Sequence, residues 1–522
     1  MRYEAHLRAR ALERPQHAAL VCAGQRISYA ALADIAERFA SALVAGAGFG
    51  NGERCVLFLD NRAETAAGLF GTLRAGGMFS VINPTTKADK LAYVLNNCEA
   101  SVLVTQASLL PVARAAAAQA PSVRHVVVVD AAGELAGHEV PWDEFIAAPS
   151  ILDPASRGID IDLAMLVYTS GSTGEPKGVM MTHKNIEHAA TSITTYLRMS
   201  PDDVVLSVLP LAFDYGLYQL LMCVKLGATL VLEKSFAFPQ KILPLLESER
   251  ITGFPLVPTM AALIVQLRNF RPEWAASVKF LTNTAAALPP AHIARLRELF
   301  PQARVYSMYG MTESKRCTWL PPEELDRRPD SVGIAIPFTE AWVAGEDGKP
   351  LPPGAVGELV VRGGHVMQGY WRNPEATDKA LKPGRYPWEK VLHTGDLFRM
   401  DADGFLYFVG RKDDIIKSRG EKVSPKEVEN VLYALPGVRE AAVVGVPDPV
   451  LGRALKAILA VEDGASIAPR DVIAHCAARL EDFMVPRLIE FRDALPKTNT
   501  GKIRRAALQA EAEGRELPGE DA

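Results

Sequence analysis

The stretch from Leu166 to His183 reads LVYTSGSTGEPKGVMMTH. An apolar segment typical of a buried strand leads into a run of glycines and hydroxyl residues that ends at Lys177. Glycines let backbone N–H groups approach an anion closely, hydroxyls donate further hydrogen bonds, and a lysine adds positive charge. This combination predicts a loop that wraps a phosphate group.

The loop differs from a Walker A loop. The pattern G-x-x-x-x-G-K-[ST] does not fit Gly171–Gly178, and Val179–Thr182 predicts a second strand where a Walker A loop needs a helix. A solvated turn of glycine and serine is the plain alternative. Four hydroxyl side chains, a lysine and strands on both sides favour phosphate binding over that alternative.

Composition excludes several broad classes of protein. The 522 residues are 48% hydrophobic, which is enough to bury more than one core, and the net charge of −4 offers no bulk positive field for nucleic acid. The six cysteines contain no C-x-x-C pair, which argues against a zinc ribbon or a disulfide framework and favours a reducing cytoplasm. We expect no export signal and no membrane span, because no apolar run approaches about 18 residues.

Hydrophobic periodicity predicts a large α/β region up to about residue 330. Ser28–Val44 has apolar residues at helical spacing behind a capping serine, while Cys55–Leu59 and Met78–Ile82 read as strands. Between Trp342 and Phe408, glycine and proline separate short strands, as in antiparallel hairpins. After Gly410, predicted helices at Pro425–Leu435 and Pro469–Leu480 and three strand-like segments indicate a small α+β domain.

Five motifs resemble those of the AMP-forming adenylating superfamily, which comprises acyl-CoA synthetases, adenylation domains of peptide synthetases and beetle luciferases. The phosphate loop is the first motif. The others are Tyr306–Ser314 (YSMYGMTES), Leu392–Asp396 (LHTGD), Gly410–Gly420 (GRKDDIIKSRG) and Pro496–Arg505 (PKTNTGKIRR). Together they span nearly the whole chain, and the resemblance is closest to stand-alone acyl-CoA ligases.

The resemblance implies a specific domain organisation. Residues 1–412 would form a large N-terminal domain with two α/β subdomains and a β-rich subdomain at about 335–410. Residues 413–522 would form a small, mobile α+β C-terminal domain that carries the catalytic lysine.

The resemblance also assigns residues to ATP and AMP. They are Thr169, Ser170, Gly171, Ser172, Thr173, Gly174, Lys177, Ala285, Ala286, Tyr309, Gly310, Thr312, Asp396, Arg411 and Lys502. Thr312 would bond an α-phosphate oxygen, Glu313 would hold Mg²⁺, and Asp396 would accept from the ribose hydroxyls. Lys502 would be a catalytic cation shared by the substrate carboxylate and the α-phosphate.

Two half-reactions are implied: a carboxylate and ATP form acyl-AMP and pyrophosphate, and a thiol then takes the acyl group. The small domain would rotate between them about Asp413, bringing a thiol channel into the site. The residues implied to border that channel are Lys417, Ser418, Arg419 and Gly420.

Residues implied to line the acyl pocket are Phe213, Asp214, Tyr215, Tyr218, Pro258, Met308 and Met311. This largely apolar set suits an acyl or aryl carboxylic acid. Asp214 leaves two alternatives open: it binds the ammonium group of an amino-acid substrate, or it faces solvent or donors of the protein itself.

The most direct hypothesis for function is therefore an acyl-CoA synthetase that uses ATP, Mg²⁺ and coenzyme A. The alternative within enzymes is a ligase that loads an amino acid or acyl group onto a carrier protein acting in trans. A nucleotide-binding protein without catalysis is a third hypothesis, and the presence of Lys177, Glu313 and Lys502 argues against it.

Overall fold

A computed structural model of the chain describes residues 1–147, 157–169, 176–284, 288–412, 414, 416–418, 421–448, 452–462, 464–480, 482–498 and 503–514. Residues 417, 421, 422 and 452 are described by their backbone alone. Chain contacts divide the protein into two units. The first unit comprises Met1–Pro329, Ile334–Glu340 and Val361–Leu392; the second comprises Asp330–Gly333, Ala341–Val360 and His393–Ala522.

Alternating helices and strands begin at the N-terminus. Up to residue 147 they are α1 (Ala5–Glu13), β1 (Ala18–Cys22), β2 (Gln25–Ser28), α2 (Tyr29–Ser41), β3 (Arg54–Leu57), α3 (Ala63–Arg74), β4 (Met78–Val81), α4 (Ala88–Asn97), β5 (Ala100–Gln106), α5 (Leu110–Ala117), β6 (His125–Val129), β7 (Glu139–Pro141) and α6 (Trp142–Phe145).

The same alternation continues to residue 309. Its elements are β8 (Leu163–Thr169), β9 (Lys177–Thr182), α7 (His183–Leu197), β10 (Val204–Ser207), α8 (Asp214–Leu226), β11 (Thr229–Leu232), α9 (Pro239–Ser248), β12 (Gly253–Leu256), α10 (Pro258–Val265), α11 (Pro272–Ala275), β13 (Phe280–Asn283), α12 (Pro290–Leu299) and β14 (Arg304–Tyr309).

Short strands dominate the next part of the chain, and a second α/β alternation ends it. These elements are β15 (Thr318–Trp319), β16 (Ile334–Ala335), β17 (Thr339–Ala344), β18 (Val356–Gly363), β19 (Gly369–Tyr370), α13 (Pro374–Ala380), β20 (Leu381–Pro383), β21 (Lys390–Met400), β22 (Leu406–Arg411), β23 (Ile416–Ser418), β24 (Glu421–Val423), α14 (Pro425–Tyr433), β25 (Val438–Asp448), β26 (Gly452–Val461), α15 (Pro469–Ala477), β27 (Leu488–Phe491) and α16 (Arg505–Ala512).

Two large sheets form the first unit. Among the described residues, one has the strand order β16-β15-β14-β13-β12-β10-β11-β1-β2 and the other has the order β19-β9-β8-β4-β3-β5-β6-β7. The pairs between β14 and β1 and between β8 and β7 are parallel. The connecting helices bury apolar faces against these sheets, as parallel sheets require.

The predicted hairpin around the phosphate loop is present. Strands β8 and β9 are antiparallel, and their register brings Thr169 opposite Lys177. Strand β9 passes into α7 through a capping box, in which Thr182 and Asn185 exchange hydrogen bonds between side chain and backbone. The pairing of β8 with β9 therefore fixes the two ends of the loop, and the capped start of α7 fixes the end of β9.

The second unit contains a small α/β core. Strand β26 pairs antiparallel with β25 and parallel with β27, and α14 and α15 cover this sheet with apolar side chains such as Val428, Leu432 and Val472. In the same unit, β21 and β22 form an antiparallel hairpin. In the described ranges, no helix combines the length and apolar character needed to cross a membrane.

Helices α2 and α3 pack almost backbone to backbone. A Cβ atom at Gly71 would lie 2.7 Å from the carbonyl oxygen of Ala36 and 2.8 Å from a ring carbon of Phe39. Ala36 and Phe39 lie on the buried face of α2, which begins at the capping side chain of Ser28. The contact therefore depends on glycine.

We expect Gly71→Ala to destabilise the first unit by about 1–3 kcal/mol, because the added methyl group overpacks the interface between α2 and α3. Urea unfolding followed by fluorescence measures this change. Gly46→Ala is the matched control, since nothing lies within 4 Å of a Cβ atom there. Equal unfolding midpoints for the two variants would contradict this packing argument.

Candidate active site

The two ends of the predicted phosphate loop lie on adjacent strands of one sheet. Thr169 ends β8 and Lys177 begins β9. Ser170, Gly171, Ser172, Thr173 and Gly174 lie outside the described residues. The pairing of β8 with β9 thus places a hydroxyl and an ammonium group at the two ends of the loop.

Tyr370 connects the phosphate loop to the predicted metal-binding glutamate. Strand β19 pairs with β9, and the Tyr370 ring lies 5.5 Å from the Lys177 ammonium. The Tyr370 hydroxyl donates to Glu313 Oε1 over 2.7 Å. Lys177 and Glu313 are therefore brought together by a tyrosine that the sequence motifs did not indicate.

Thr312 and Glu313 lie in the connection between two paired strands. Strand β14 pairs antiparallel with β15, so that Tyr309 faces Thr318. A Cβ atom at Gly310 would lie 2.9 Å from Arg316 Cα, so the connection closes only with glycine at this position. The Met367 N–H also donates to the Glu313 carbonyl over 2.8 Å, which fixes the glutamate backbone.

The proposed acyl pocket residues gather around the start of α8. Phe213 and Asp214 lie at its N-terminus, Tyr215 follows directly, and Tyr218 lies one turn further on; both tyrosines are buried. The Tyr215 hydroxyl forms a 2.6 Å hydrogen bond with the Thr282 hydroxyl at β13. This bond connects the aromatic wall to the sheet edge that precedes Ala285 and Ala286, which lie outside the described residues.

The remaining pocket candidates lie on three other segments of the first unit. Met308 is buried on β14 and accepts a hydrogen bond from the Tyr196 hydroxyl over 2.9 Å. Pro258 begins α10 and Met311 lies in the connection after β14, and both are partly buried.

Asp214 is bound by a lysine of the protein itself. Lys315 Nζ lies 3.3 Å from Asp214 Oδ2, and the side chains are 2% and 12% exposed. The same ammonium lies 4.6 Å from the Tyr218 ring centre. Burial lowers the pKa of Lys315 to about 7, and the Asp214 carboxylate opposes that shift.

The sequence motifs missed Lys315 and Arg316. Both side chains are buried, and the Arg316 guanidinium lies 5.0 Å from the Tyr215 ring centre. The available signal was their position: two basic residues directly follow the Tyr306–Ser314 motif and precede an apolar stretch.

In the second unit, Asp396 and Arg411 face each other across the hairpin of β21 and β22. Arg411 Nε lies 3.3 Å from Asp396 Oδ1. Glu358 supports the turn before Asp396, because its Oε1 accepts from the Gly395 N–H over 2.9 Å. Hydrogen bonding from His393 is the main cause that lowers the pKa of Glu358 to about 2.

The hinge and thiol-channel candidates are only partly described. Ser418 is buried in β23, and the backbone of Lys417 pairs with Lys422. Asp413, Arg419, Gly420 and Lys502 lie outside the described residues.

Two protein-family models match the chain. The family model described as AMP-binding enzyme matches residues 7–371, and the AMP-binding enzyme C-terminal domain matches residues 427–502. The chain belongs to the AMP-binding enzyme family. This confirms the resemblance stated from the five motifs.

Individual relatives of this AMP-binding enzyme match along almost their full length. It is 35% identical over 497 residues to a feruloyl-CoA synthase of Amycolatopsis sp, covering 95% of this chain and 96% of the relative. It is 31% identical over 525 residues to a long-chain-fatty-acid–CoA ligase of Escherichia coli O6:H1, covering 95% and 92%. ATP-bound MatB from Rhodopseudomonas palustris superposes with a TM-score of 0.88 at 30% identity, covering 98% and 99%.

These comparisons confirm two expectations for this AMP-binding enzyme. Its fold is mixed α/β with a large N-terminal and a small C-terminal domain, and its activity is that of an AMP-forming ligase. The roles of individual site residues remain predictions.

The buried pair of Asp214 and Lys315 yields a prediction about stability. Between pH 7 and 10.5 the unfolded chain binds more protons at Lys315 than the folded chain does. The contribution of Lys315 to the free energy of unfolding therefore rises with pH in that window. Asp214→Asn removes the carboxylate that favours the ammonium. We expect a loss of about 3 kcal/mol at pH 6 and a clearly smaller loss at pH 9, where Lys315 is neutral in the folded protein.

Urea unfolding of both proteins at the two pH values checks this prediction. Asp34→Asn serves as the control, because Asp34 pairs with Arg38 at the surface of α2. A loss for Asp214→Asn that does not depend on pH would show that Lys315 is not the group that responds.

Proposed function

We propose that this AMP-binding enzyme joins a carboxylic acid to coenzyme A in two half-reactions. In the first, a carboxylate oxygen attacks the α-phosphorus of ATP and pyrophosphate leaves. In the second, the thiolate of coenzyme A attacks the acyl carbon and AMP leaves. The observation that carries this proposal is the arrangement of Lys177, Tyr370 and Glu313 beside the phosphate loop.

The described residues of the first unit suit the handling of a triphosphate. Lys177 offers a cation to phosphate oxygens, and the Thr312 hydroxyl is proposed to donate to the α-phosphate. Tyr370 holds one oxygen of the Glu313 carboxylate through a 2.7 Å hydrogen bond and thereby orients the other oxygen. Each of these groups acts by positioning charge rather than by forming a covalent bond.

Glu313 is proposed to hold Mg²⁺. In the described part of the chain, no three His, Cys, Asp or Glu side chains converge to form a complete metal cage. Mg²⁺ usually binds one or two carboxylates together with substrate phosphates, so a single oriented glutamate fits this ion. When bound, the ion neutralises charge on the phosphate oxygens.

The structure favours an acid without an ammonium group as substrate. The Asp214 carboxylate already has the Lys315 ammonium as its partner, so the protein supplies the cation that an amino acid would bring. The feruloyl-CoA synthase and the fatty-acid ligase among the relatives support an acyl or aryl acid. A carrier protein presents the same thiol as coenzyme A, so acceptor assays include both.

Asp396 is proposed to accept hydrogen bonds from the ribose hydroxyls, with Arg411 and Glu358 holding it in place. Asp396→Ala should raise the KM for ATP and weaken AMP binding by about 1.5–3 kcal/mol, the scale of a hydrogen bond to a charged group. Calorimetric titration with AMP and with 2′-deoxy-AMP measures this effect, and the variant should bind both nucleotides equally. Asp403→Ala, an exposed carboxylate of the same unit, is the control. Unchanged AMP affinity would remove Asp396 from the nucleotide site.

Lys502 is proposed to act in adenylation alone. Lys502→Ala should slow acyl-AMP formation by on the order of 10²–10³, while thioester formation from supplied acyl-AMP persists. Single-turnover measurement of each half-reaction separates the two effects. Lys497→Ala is the matched control in the same segment, because Lys497 is engaged in an ion pair with Glu440. Similar losses in both half-reactions would contradict the division of labour that rotation about Asp413 requires.

A further inference from the structure

The guanidinium group of Arg316 is buried without an anionic partner among the described residues. The residue is 2% exposed, no described carboxylate lies within 4.0 Å of its nitrogens, and its Nε has no hydrogen-bond partner. Charged side chains are almost never fully buried unless they are paired, because desolvation of a lone charge is costly. Arg316 is therefore a buried cation whose charge no described carboxylate neutralises.

The neighbouring charges do not compensate Arg316. Lys315 and Asp214 neutralise each other at 3.3 Å. The other groups beside the guanidinium are phenols. The guanidinium lies over the Tyr215 ring. Burial raises the pKa of Tyr196, and the positive charge of Arg316 opposes that rise. Phenol groups stabilise a guanidinium in part, but they leave its net charge in place. The described charges around Arg316 thus sum to one net positive charge while Lys315 is protonated and paired with Asp214.

The backbone holds this cation in place at an energetic cost. Lys315 has a φ angle of +52°, and the Arg316 N–H donates to the Ser314 carbonyl over 2.6 Å, which closes a tight turn centred on a non-glycine residue. Such conformations persist where surrounding contacts enforce them, and they cluster at functional sites. The result of this turn is that two successive basic side chains pack against the tyrosines of α8.

We propose, building on the function proposed above, that the acid activated by this enzyme carries a second anionic group, a carboxylate or a sulfonate, which Arg316 binds. The planar guanidinium offers paired N–H donors that match the oxygens of either group. An ammonium at the same place would meet a like charge, and an uncharged methyl group would leave the guanidinium unpaired. Asp214 and Lys315 keep the adjoining wall neutral, and the apolar residues of the pocket contact the chain between the two acidic groups.

The test is ATP–pyrophosphate exchange by the full-length enzyme with acids matched in length. Each set contains an anionic, a neutral and a cationic terminus, for example glutarate, pentanoate and 4-aminobutanoate. Sulfonates such as 3-sulfopropionate and an aromatic set built on terephthalate extend the panel. We expect kcat/KM for the best anionic acid to exceed that of its neutral and cationic counterparts at least tenfold. A neutral or cationic acid that matches or exceeds its anionic counterpart would overturn the inference.

Variants separate recognition by Arg316 from a purely structural role. Arg316→Met should lower kcat/KM for the anionic acid at least tenfold more than for its neutral counterpart, which removes the preference. Arg316→Lys should retain part of the preference. Arg304→Met is the control, because Arg304 stacks on Tyr306 in a similar way without being buried. A lower stability of Arg316→Met with the preference intact would assign Arg316 to the fold alone.

The same experiment distinguishes failure of this inference from failure of the proposed function. Calorimetric binding of ATP confirms that each variant retains its nucleotide site, and Arg316→Lys with the wild-type panel decides the matter if Arg316→Met does not fold. Exchange with neutral acids alone would leave the ligase function standing and overturn only the role of Arg316. Binding of ATP without exchange for any acid would contradict the ligase function itself.

Discussion

The position of β9 between β8 and β19 is the constraint on which the candidate active site depends. Pairing with β8 brings the two ends of the phosphate loop together, and pairing with β19 brings Tyr370 against Lys177. Tyr370 then reaches Glu313 in the connection after β14. A backbone ladder cannot shift by one residue without turning every side chain to the opposite face, so the register of these three strands fixes the site.

Local chemistry explains what the sequence was able to predict. The hairpin around the predicted phosphate loop was recognisable because an apolar strand segment lies on each side of the glycines and hydroxyls, and α2 was recognisable from its cap at Ser28 and its apolar spacing. Helix ends were less well defined: α14 ends at Tyr433 and α15 at Ala477, whereas the apolar patterns extended to Leu435 and Leu480. Terminal turns are stabilised weakly, and periodicity carries little information about where they stop.

Long-range pairs explain what the sequence was unable to predict. Asp214 was expected to contact a substrate, solvent or a donor of the protein, and nothing in its own segment indicated Lys315 as that donor. Glu358 and Tyr370 were missed for the same reason, since each acts on a motif that lies in another segment of the chain. Their roles follow from strand pairing and burial, neither of which a motif encodes.

The turn around Lys315 has a consequence for how this enzyme can change. Thr312 and Glu313 lie only a few residues before Lys315 and Arg316. The backbone of Gly310 closely approaches that of Arg316, so the segment from Gly310 to Arg316 forms a tightly closed loop. A substitution that reshapes the proposed pocket wall to admit a new acid is therefore expected to displace Thr312 and Glu313 as well, the groups proposed to face the nucleotide. Substrate range and turnover are mechanically linked in this loop, so directed evolution toward new acids should find its beneficial substitutions first on α8 and α10.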